Sequence, residues 1–401
     1  HIEPSQTEMP EAQQADDAEE KSLRDIGDAM VAPPALEALC QTFSLTPFER
    51  ALLLLTAGIE LDPSFAELCA AAHANAQRGY PTFGLALAAL PEAHWSALSP
   101  AGPLRYWRLI EVNGGEALIS NRLRLDEWVL HYLLGTQHLD ERLAGLIEPL
   151  PQPGDLVPSH QDLAQRLAST WAQTAGGSQL PVVQLCGPDL ATQQSIAGEG
   201  CAALGLHLYR LSALDIPGSA AELEALVRLW SREAALGGSA LLLDCHDSDA
   251  ADAAREHALK RLVEGFNSPL ILACRERRPA RQRPTINFDV QKPTSLEQQA
   301  LWCEALGETA VSLNGAVETL VAQFDLSLPD IRSATAQAFG DLAGEETAPS
   351  ADALQDALWT SSRMQVRPRL SNLVQPIKPL ARWEDLILPP TQKQTLDELA
   401  I

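Results

Sequence analysis

The chain has 401 residues, of which 46% are hydrophobic and 20% are charged, a composition typical of a soluble globular protein with room for two or three domains. Its 53 acidic and 29 basic side chains leave a net charge of −24, and so acidic a surface repels nucleic acids and anionic membranes. Seven cysteines without a C-x-x-C pair favour reduced thiols, and therefore a cytoplasmic protein, over disulfides or zinc.

Changes in composition and periodicity divide the chain into six segments. The first thirty residues hold nine acidic and two basic side chains without an apolar pattern, which predicts a disordered acidic tail. The predicted order is an acidic tail (1–30), a helical and winged-helix-like domain (31–148), a proline-rich linker (149–160), an α/β domain (161–290), a helical lid (291–361) and a second linker (362–401). The fold class is therefore α/β with a helical N-terminal domain.

The winged-helix prediction depends on helices that are followed by a hairpin. Thr46 and Glu49 form a capping-box pattern with Pro47 at the first helical position. Further on, Asn113-Gly114-Gly115 is a turn signal, and a returning strand is expected over 117–125.

Four arginines on the predicted hairpin leave two functions open. Arg105, Arg108, Arg122 and Arg124 could contact DNA phosphates, as basic residues of winged helices do. They could instead pair with nearby acids, namely Glu111, Glu116, Asp126 and Glu127. The net charge favours pairing.

The segment from Pro181 to Asp244 follows the order of elements in a P-loop nucleotide-binding domain. A short apolar run ends at Cys186 and Gly187 follows it; a helical stretch, two more apolar runs and a helix between them then lead to Asp244. Strand, glycine turn, helix, strand, helix and a strand ending in Asp is the P-loop frame. The competing interpretation is an ordinary α/β domain with a glycine after its first strand by chance.

The chemistry of a P-loop is missing from this frame. In G-x-x-x-x-G-K-[ST], glycines let backbone N–H groups wrap the phosphates, the Lys reaches the β- and γ-phosphates, and the hydroxyl holds Mg²⁺. Gly187 fits the first glycine, but Thr192, Gln193 and Gln194 replace the second glycine, the Lys and the Ser/Thr. Asp244 could still hold a metal. We expect a degenerate nucleotide site that binds neither ATP nor Mg²⁺ well.

A basic run follows the predicted fourth strand, and it has two interpretations. It could bind a phosphate of a neighbouring subunit or an acidic partner, or it could form a solvated loop that pairs with local acids. Its members are Arg275, Arg277, Arg278, Arg281 and Arg283.

Several longer blocks of sequence resemble AAA+ ATPases, and among them the bacterial AAA+ proteins encoded with phage-tail-like contractile injection systems. The matching blocks are Glu60-Leu61-Asp62, Tyr80 to Leu87, His94 to Leu98, Leu125-Asp126-Glu127 and Trp383 to Pro389. The resemblance covers roughly residues 35–401.

This resemblance implies a winged-helix-like region, a degenerate first ATPase domain with a lid, and a second domain that carries a working P-loop. The segment at Trp383 is where such a chain would enter that second domain, so we expect this chain to be the N-terminal half of a longer protein. Arg281 and Arg283 lie where AAA+ proteins place arginine fingers, although Asn287 replaces the second finger. Asp215 to Gly218 lacks the aromatic residue of a pore loop that threads substrates.

The expected function is partner recognition and a ring scaffold in an ATP-driven, chaperone-like assembly or maturation of an injection particle. The family uses ATP and Mg²⁺, forms homo-oligomers, expected to be hexamers, and its partners would be protein components of the particle. Because Cys245 replaces the glutamate that activates water, this chain alone is expected to be inactive. Two alternatives stay open: a regulatory domain that binds nucleotide weakly, and a winged-helix DNA-binding regulator.

Overall fold

The computed structural model describes residues 33–114, 117–151, 154–174, 180–248, 252–279, 282–313, 315–343 and 350–366, together with Pro389 and Gln392. The predicted tail over 1–30, Arg281 and the predicted linker beyond Val366, except those two residues, lie outside the described residues. The chain divides into two compact units, and the division falls after Gln291.

The first unit begins with the helices and the short hairpin that the sequence predicts. These elements are α1 (Ala35–Thr42), α2 (Pro47–Leu61), α3 (Ser64–Ala72), α4 (Phe83–Ala89), α5 (Pro103–Tyr106), β1 (Ile110–Val112), β2 (Leu123–Leu125) and α6 (Glu127–Leu133). The capping box at Thr46 is present, since Thr46 N donates to Glu49 Oε2 (2.9 Å) and Glu49 N donates to Thr46 Oγ1 (3.2 Å). It starts α2 in the register that buries Phe48 and Leu52 in the core.

The hairpin is shorter than the sequence predicted. The strand expected over 117–125 contains a 3₁₀ turn at Leu118–Ser120, and pairing with β1 is confined to Leu123–Leu125. The exposed side chains of Leu118 and Ile119 do not alternate between two faces as a paired strand requires.

An α/β domain completes the first unit. Its elements are β3 (Ile147–Pro149), α7 (Pro158–Thr174), β4 (Val182–Cys186), α8 (Leu190–Ala202), β5 (His207–Ser212), α9 (Ala220–Gly237), β6 (Ser239–Asp244), α10 (Ala253–Gly265), β7 (Leu270–Cys274) and β8 (Thr285–Asp289). The strand order is β3-β5-β6-β7-β4-β8, and β3 is antiparallel to β5 while the other pairs are parallel.

Helices cover both faces of this sheet. Leu167 of α7 and Ile196 of α8 pack on one face, and Trp230 of α9 and Leu262 of α10 pack on the other. Burial on both faces explains why β4, β6 and β7 are buried along their whole length and mostly apolar rather than alternating. Because β4, β7 and β6 are parallel, their carboxyl ends meet at one edge of the sheet, where α/β proteins bind ligands.

The linker predicted for 149–160 is structured at both ends, so that prediction was wrong in extent. Pro149 belongs to β3, and Leu150 N donates to Leu208 O (3.0 Å). Helix α7 already begins at Pro158, because proline is well tolerated in a first helical turn.

The second unit is helical in its described part. It contains α11 (Ser295–Leu306), a 3₁₀ turn (Gly307–Leu313), α12 (Ala316–Gln323), α13 (Leu328–Leu342) and α14 (Ala351–Val366). Trp302, Leu320, Ile331 and Leu358 are buried in it. The last helix ends at Val366, five residues beyond the lid predicted for 291–361. Ser361 and Ser362 are buried inside this helix.

Candidate functional site

Gly187 lies at the carboxyl end of β4, where a nucleotide phosphate would approach. Gly187 N donates to Cys274 O (3.0 Å), and Val290 N donates to Cys186 O (2.6 Å). A methyl group on Gly187 would collide with the carbonyl oxygen of Val290. The glycine is thus required by the close approach of another backbone segment, which fills the space beside it.

Asp189 occupies the anion-binding position at the start of α8. Its carboxylate accepts hydrogen bonds from Ala191 N (3.3 Å), Thr192 N (3.2 Å) and Thr192 Oγ1 (2.5 Å). A helix N-terminus attracts negative charge through these free N–H groups and the helix dipole. Here the anion is a side chain of the same chain, and the hydroxyl of Thr192 is committed to it.

Gln193, at the position of the P-loop lysine, is fully buried and faces the interior. Its Nε2 donates to Gly187 O (3.1 Å) and Cys274 O (2.9 Å), and its Oε1 lies 2.8 Å from His246 Nε2. Because Gln193 Oε1 can only accept, His246 Nε2 is the donor of this hydrogen bond. Burial lowers the pKa of His246. The amide joins two strand ends and one loop, whereas a P-loop lysine points at phosphates. Gln194, the next residue, is half-buried.

Asp244, at the end of β6, is paired with a cation of the chain itself. Its Oδ2 lies 2.7 Å from Arg210 Nη2, and its Oδ1 accepts a hydrogen bond from His246 N (3.0 Å). Both oxygens are therefore engaged. In the described part of the chain, no three His, Cys, Asp or Glu side chains come together as a metal ion would require.

These residues do not fit a Mg-nucleotide. Asp189 puts a negative charge where a phosphate would lie, Gln193 is neutral and buried, and Asp244 is bound to Arg210. The six-residue spacing between Gly187 and Gln193 is that of a P-loop, but the helix begins at Leu190, inside the stretch that would wrap the phosphates. The sequence identified the missing lysine, but it gave no signal for the role of Asp189.

The basic run pairs with nearby groups, which supports the second of its two interpretations. Arg277 pairs with Asp289 (2.5 Å), Arg278 with Glu256, and Arg275 lies 3.7 Å from Asp247. Arg283 is buried and donates to Leu180 O, Phe266 O and Ser268 O, each at 2.8 Å. Burial lowers the pKa of Arg283 to about 10. Its guanidinium points into the domain, where it cannot reach a neighbouring subunit.

Three of the hairpin arginines have contacts in the described residues, and these are not with Glu111, Asp126 or Glu127; Glu116 lies outside the described residues. Arg105 donates to Leu98 O (3.0 Å), Arg122 lies over the ring of Tyr80 (5.6 Å), and Arg124 lies 3.6 Å from Glu60. The predicted partner Asp126 is instead turned inward. The prediction of these particular pairs was wrong because Asp126 serves a buried cluster that residues distant in sequence complete.

That buried cluster joins the winged-helix region to the α/β domain. Arg232 of α9 is 1% exposed; its Nη1 donates to Arg108 O (2.8 Å) and Asp126 Oδ1 (3.2 Å), and its Nη2 donates to Asp140. Arg142 also pairs with Asp126 and Asp140, at 2.7 Å each. Burial disfavours the charge on Asp140, but the hydrogen bonds and charges of Arg142 and Arg232 outweigh it and lower the Asp140 pKa.

Sequence reasoning missed this cluster, although α9 contained a signal. The buried face of α9 contains Leu226, Leu229 and Trp230, and Glu233 lies on that face too. Arg232 and Glu233 thus stand between these residues and Leu236, the last apolar residue of the helix. Charged residues almost never lie on a buried face unless they are paired.

Two family descriptions match the chain. "Winged helix domain, variant" matches residues 3–147, and "Contractile injection system ATPase helical domain" matches residues 294–368. The resemblance to the AAA+ ATPases of contractile injection systems is thereby confirmed. The winged-helix region, the intervening α/β domain and the helical unit follow one another in the order expected for this family.

Curated protein sequences give no match to the chain. Among solved structures, a Rhizobiales Trip13 matches with 20% identity over 60% of this chain and 95% of its own, with a TM-score of 0.34. Caenorhabditis elegans PCH-2 matches with 10% identity over 54% of this chain and 68% of its own, with a TM-score of 0.37. TM-scores this low carry no argument about function. No helix in the described part of the chain has the length and apolar sequence that a membrane span needs.

Proposed function

We propose that this chain supplies partner recognition and a ring scaffold to an AAA+ ATPase of a contractile injection system, and that its own nucleotide site is inactive. In this proposal it acts in the assembly or maturation of the phage-tail-like particle. The winged-helix region contacts protein components of the particle, and the α/β domain stacks against copies of itself in a ring, expected to be a hexamer.

The observation that carries the proposal is the Asp189 carboxylate at the N-terminus of α8, with hydrogen bonds from Ala191 N and Thr192 N. A triphosphate would have to displace this carboxylate and would meet its charge. The neutral Gln193 removes the cation that a P-loop sets against the β- and γ-phosphates. Loss of phosphate chemistry leaves the sheet and its helices intact, so the domain keeps the surfaces on which a scaffold depends.

Within this proposal Arg283 has a structural role. Its three hydrogen bonds to backbone carbonyls hold the segment before β8 against Leu180 and Phe266. An arginine finger has to extend toward a phosphate of the next subunit, and this side chain is already satisfied inside its own domain. Arg281 lies outside the described residues and stays a sequence-based prediction.

Calorimetric titration of the chain with Mg-ATP tests the proposal, with Asp244→Ala as the comparison variant. We expect no heat of binding from either protein. One-site binding that Asp244→Ala abolishes would contradict the proposal and favour a regulatory domain that still senses nucleotide. Titration with duplex DNA completes the test, because binding whose log affinity falls linearly with log salt would favour the DNA-binding alternative.

A further inference from the structure

A cavity of about 190 Å³ lies beside α9, where residues of the winged-helix region face the first residues of β5 and β6. Aromatic side chains form much of its lining: Trp128, Tyr132 and Tyr209. His138, His207 and the carboxylate of Glu233 also line it. None of the residues discussed at the Gly187 site lines this cavity.

Glu233 is an unusual residue to find there, because its side chain is acidic and only 5% exposed. Its Oε2 accepts one long hydrogen bond, from Asp140 N (3.4 Å). With Asp140 N and the side chain of Trp128 as its hydrogen-bond partners, it has fewer than the about four hydrogen bonds that a carboxylate can accept. Burial raises the pKa of Glu233 to about 7, although Asp140 N, Arg232 and Trp128 partly offset that effect.

A second cavity of about 210 Å³ lies beside the first, and Trp128 and His138 line both. The second cavity is rimmed by three exposed carboxylates, those of Glu111, Glu127 and Glu141. None of these three forms an ion pair with a described residue, whereas Asp126 and Asp140 in the same cavity are neutralised by Arg142 and Arg232. We call the lining of the two cavities the acidic groove.

The chemistry of the acidic groove selects among ligands. Phosphates and acidic peptides would be repelled by the three free carboxylates. A metal ion does not fit, because the described His, Cys, Asp and Glu residues form no group that could hold one. An ammonium or guanidinium group does fit, since a buried carboxylate can pair with one and tyrosine rings attract cations. The ring of Trp128 is already occupied, with Arg232 over it (4.6 Å) and Tyr132 stacked against it.

We propose that the acidic groove binds a Lys- or Arg-containing segment of a partner protein, with one basic side chain against Glu233 and its neighbours along Glu111, Glu127 and Glu141. Charge complementarity supports a protein segment over a single small amine, because carboxylates line both of the neighbouring cavities. The inference rests on the partner-recognition role proposed above, and it names the chemistry of the partner segment.

The test uses the full chain and two synthetic peptides in about 0.15 M salt. One peptide has alternating Lys, Gly and Arg residues, and the other has Gln in place of every Lys and Arg. We expect calorimetric binding of the basic peptide and none of the Gln peptide. Glu233→Gln should weaken binding by about tenfold or more, because a buried charge pair loses one partner.

Glu222→Gln is the matched control, since Glu222 lies on the same helix but is exposed in its first turn. We expect that variant to bind the basic peptide like the unmodified chain. Affinity should also rise between pH 6 and pH 8 in the unmodified chain as Glu233 ionises. Subtracting the pH profile of Glu233→Gln removes the contributions of the lining groups His138, His207, Tyr132 and Tyr209 and of Asp140 and Arg232.

Three outcomes would overturn the inference. Equal affinity for the two peptides would show that charge is not recognised, and equal weakening by Glu222→Gln and Glu233→Gln would show only diffuse attraction to an acidic protein. Binding of lysine methyl ester as tightly as the peptide would indicate a small-amine site rather than a protein-docking groove. Because these titrations contain no nucleotide, their failure leaves the result of the Mg-ATP titration unaffected.

Discussion

The edge of the sheet at Gly187 and the junction at Arg232 both bury polar groups, but they satisfy them differently. At the sheet edge Gln193, His246, Asp244 and Arg210 form a chain of hydrogen bonds in which each member has a partner from another element. At the junction Arg232 pairs with Asp126 and Asp140, and Glu233 beside it accepts a hydrogen bond from Asp140 N (3.4 Å) and lines a cavity. The polar groups of the sheet edge thus bond to one another, whereas Glu233 at the junction also faces a cavity.

The largest expected effect comes from breaking the junction with Arg232→Met. Asp126 and Asp140 would stay buried with only Arg142 as a cation, and Arg108 O would lose its donor. Removing one partner of a buried ion pair costs about 3–5 kcal/mol, to be measured as the unfolding free energy in urea.

Arg228→Met is the control on the same helix. Arg228 is 27% exposed, pairs with Glu224 and lies 4.7 Å from the ring centre of Tyr106. We expect this change to cost about 1 kcal/mol or less. Equal losses in the two variants would mean that the buried cluster is no stronger than a surface pair.

The pH dependence of stability separates Glu233 from the satisfied groups. Its pKa is about 7 in the folded chain and near the ordinary value of 4.5 when unfolded, so the folded state holds the proton more tightly. Stability should therefore be higher at pH 5 and fall as the pH rises through about 7, by on the order of 1–3 kcal/mol. Thermal unfolding from pH 5 to pH 8 measures this.

Glu233→Gln should flatten that part of the pH profile and stabilise the chain at neutral pH, because the neutral amide avoids burying a charge. An unchanged slope in the variant would assign the pH dependence to groups other than Glu233. His246 would not be one of them, because its lowered pKa makes stability rise with pH.

The next effect, no larger than that of Glu233, is expected at the sheet edge. Gln193→Met keeps the volume but removes the donor to Gly187 O and the acceptor for His246. Unsatisfied buried polar groups cost about 1–3 kcal/mol, and a shift of the urea midpoint measures this. The neighbouring Gln194→Met should change stability by about 0.5 kcal/mol or less, and a loss as large as that of Gln193→Met would refute a specific role for the Gln193 amide.

The sequence was sufficient to predict the α/β frame, because the apolar runs and the glycine after the first of them are local patterns. It could not predict that Asp189 caps α8, since that depends on α8 beginning at Leu190. It also could not predict the junction, because Arg232 lies 106 residues from Asp126 and 92 from Asp140 in the chain. The same applies to Arg283, which resembled a finger by position and proved to be internal.

Helix α9 belongs to two cores at once, since Trp230 packs under the sheet while Leu236 packs with the winged-helix residues. We therefore expect the two cores to move together when α9 moves. Within this unit we expect the winged-helix region and the α/β domain to move as one rigid body. A force between the α/β domain and a partner bound to the winged-helix region would then pass through α9. Separating the winged-helix region from the α/β domain would therefore expose apolar residues that now pack on α9.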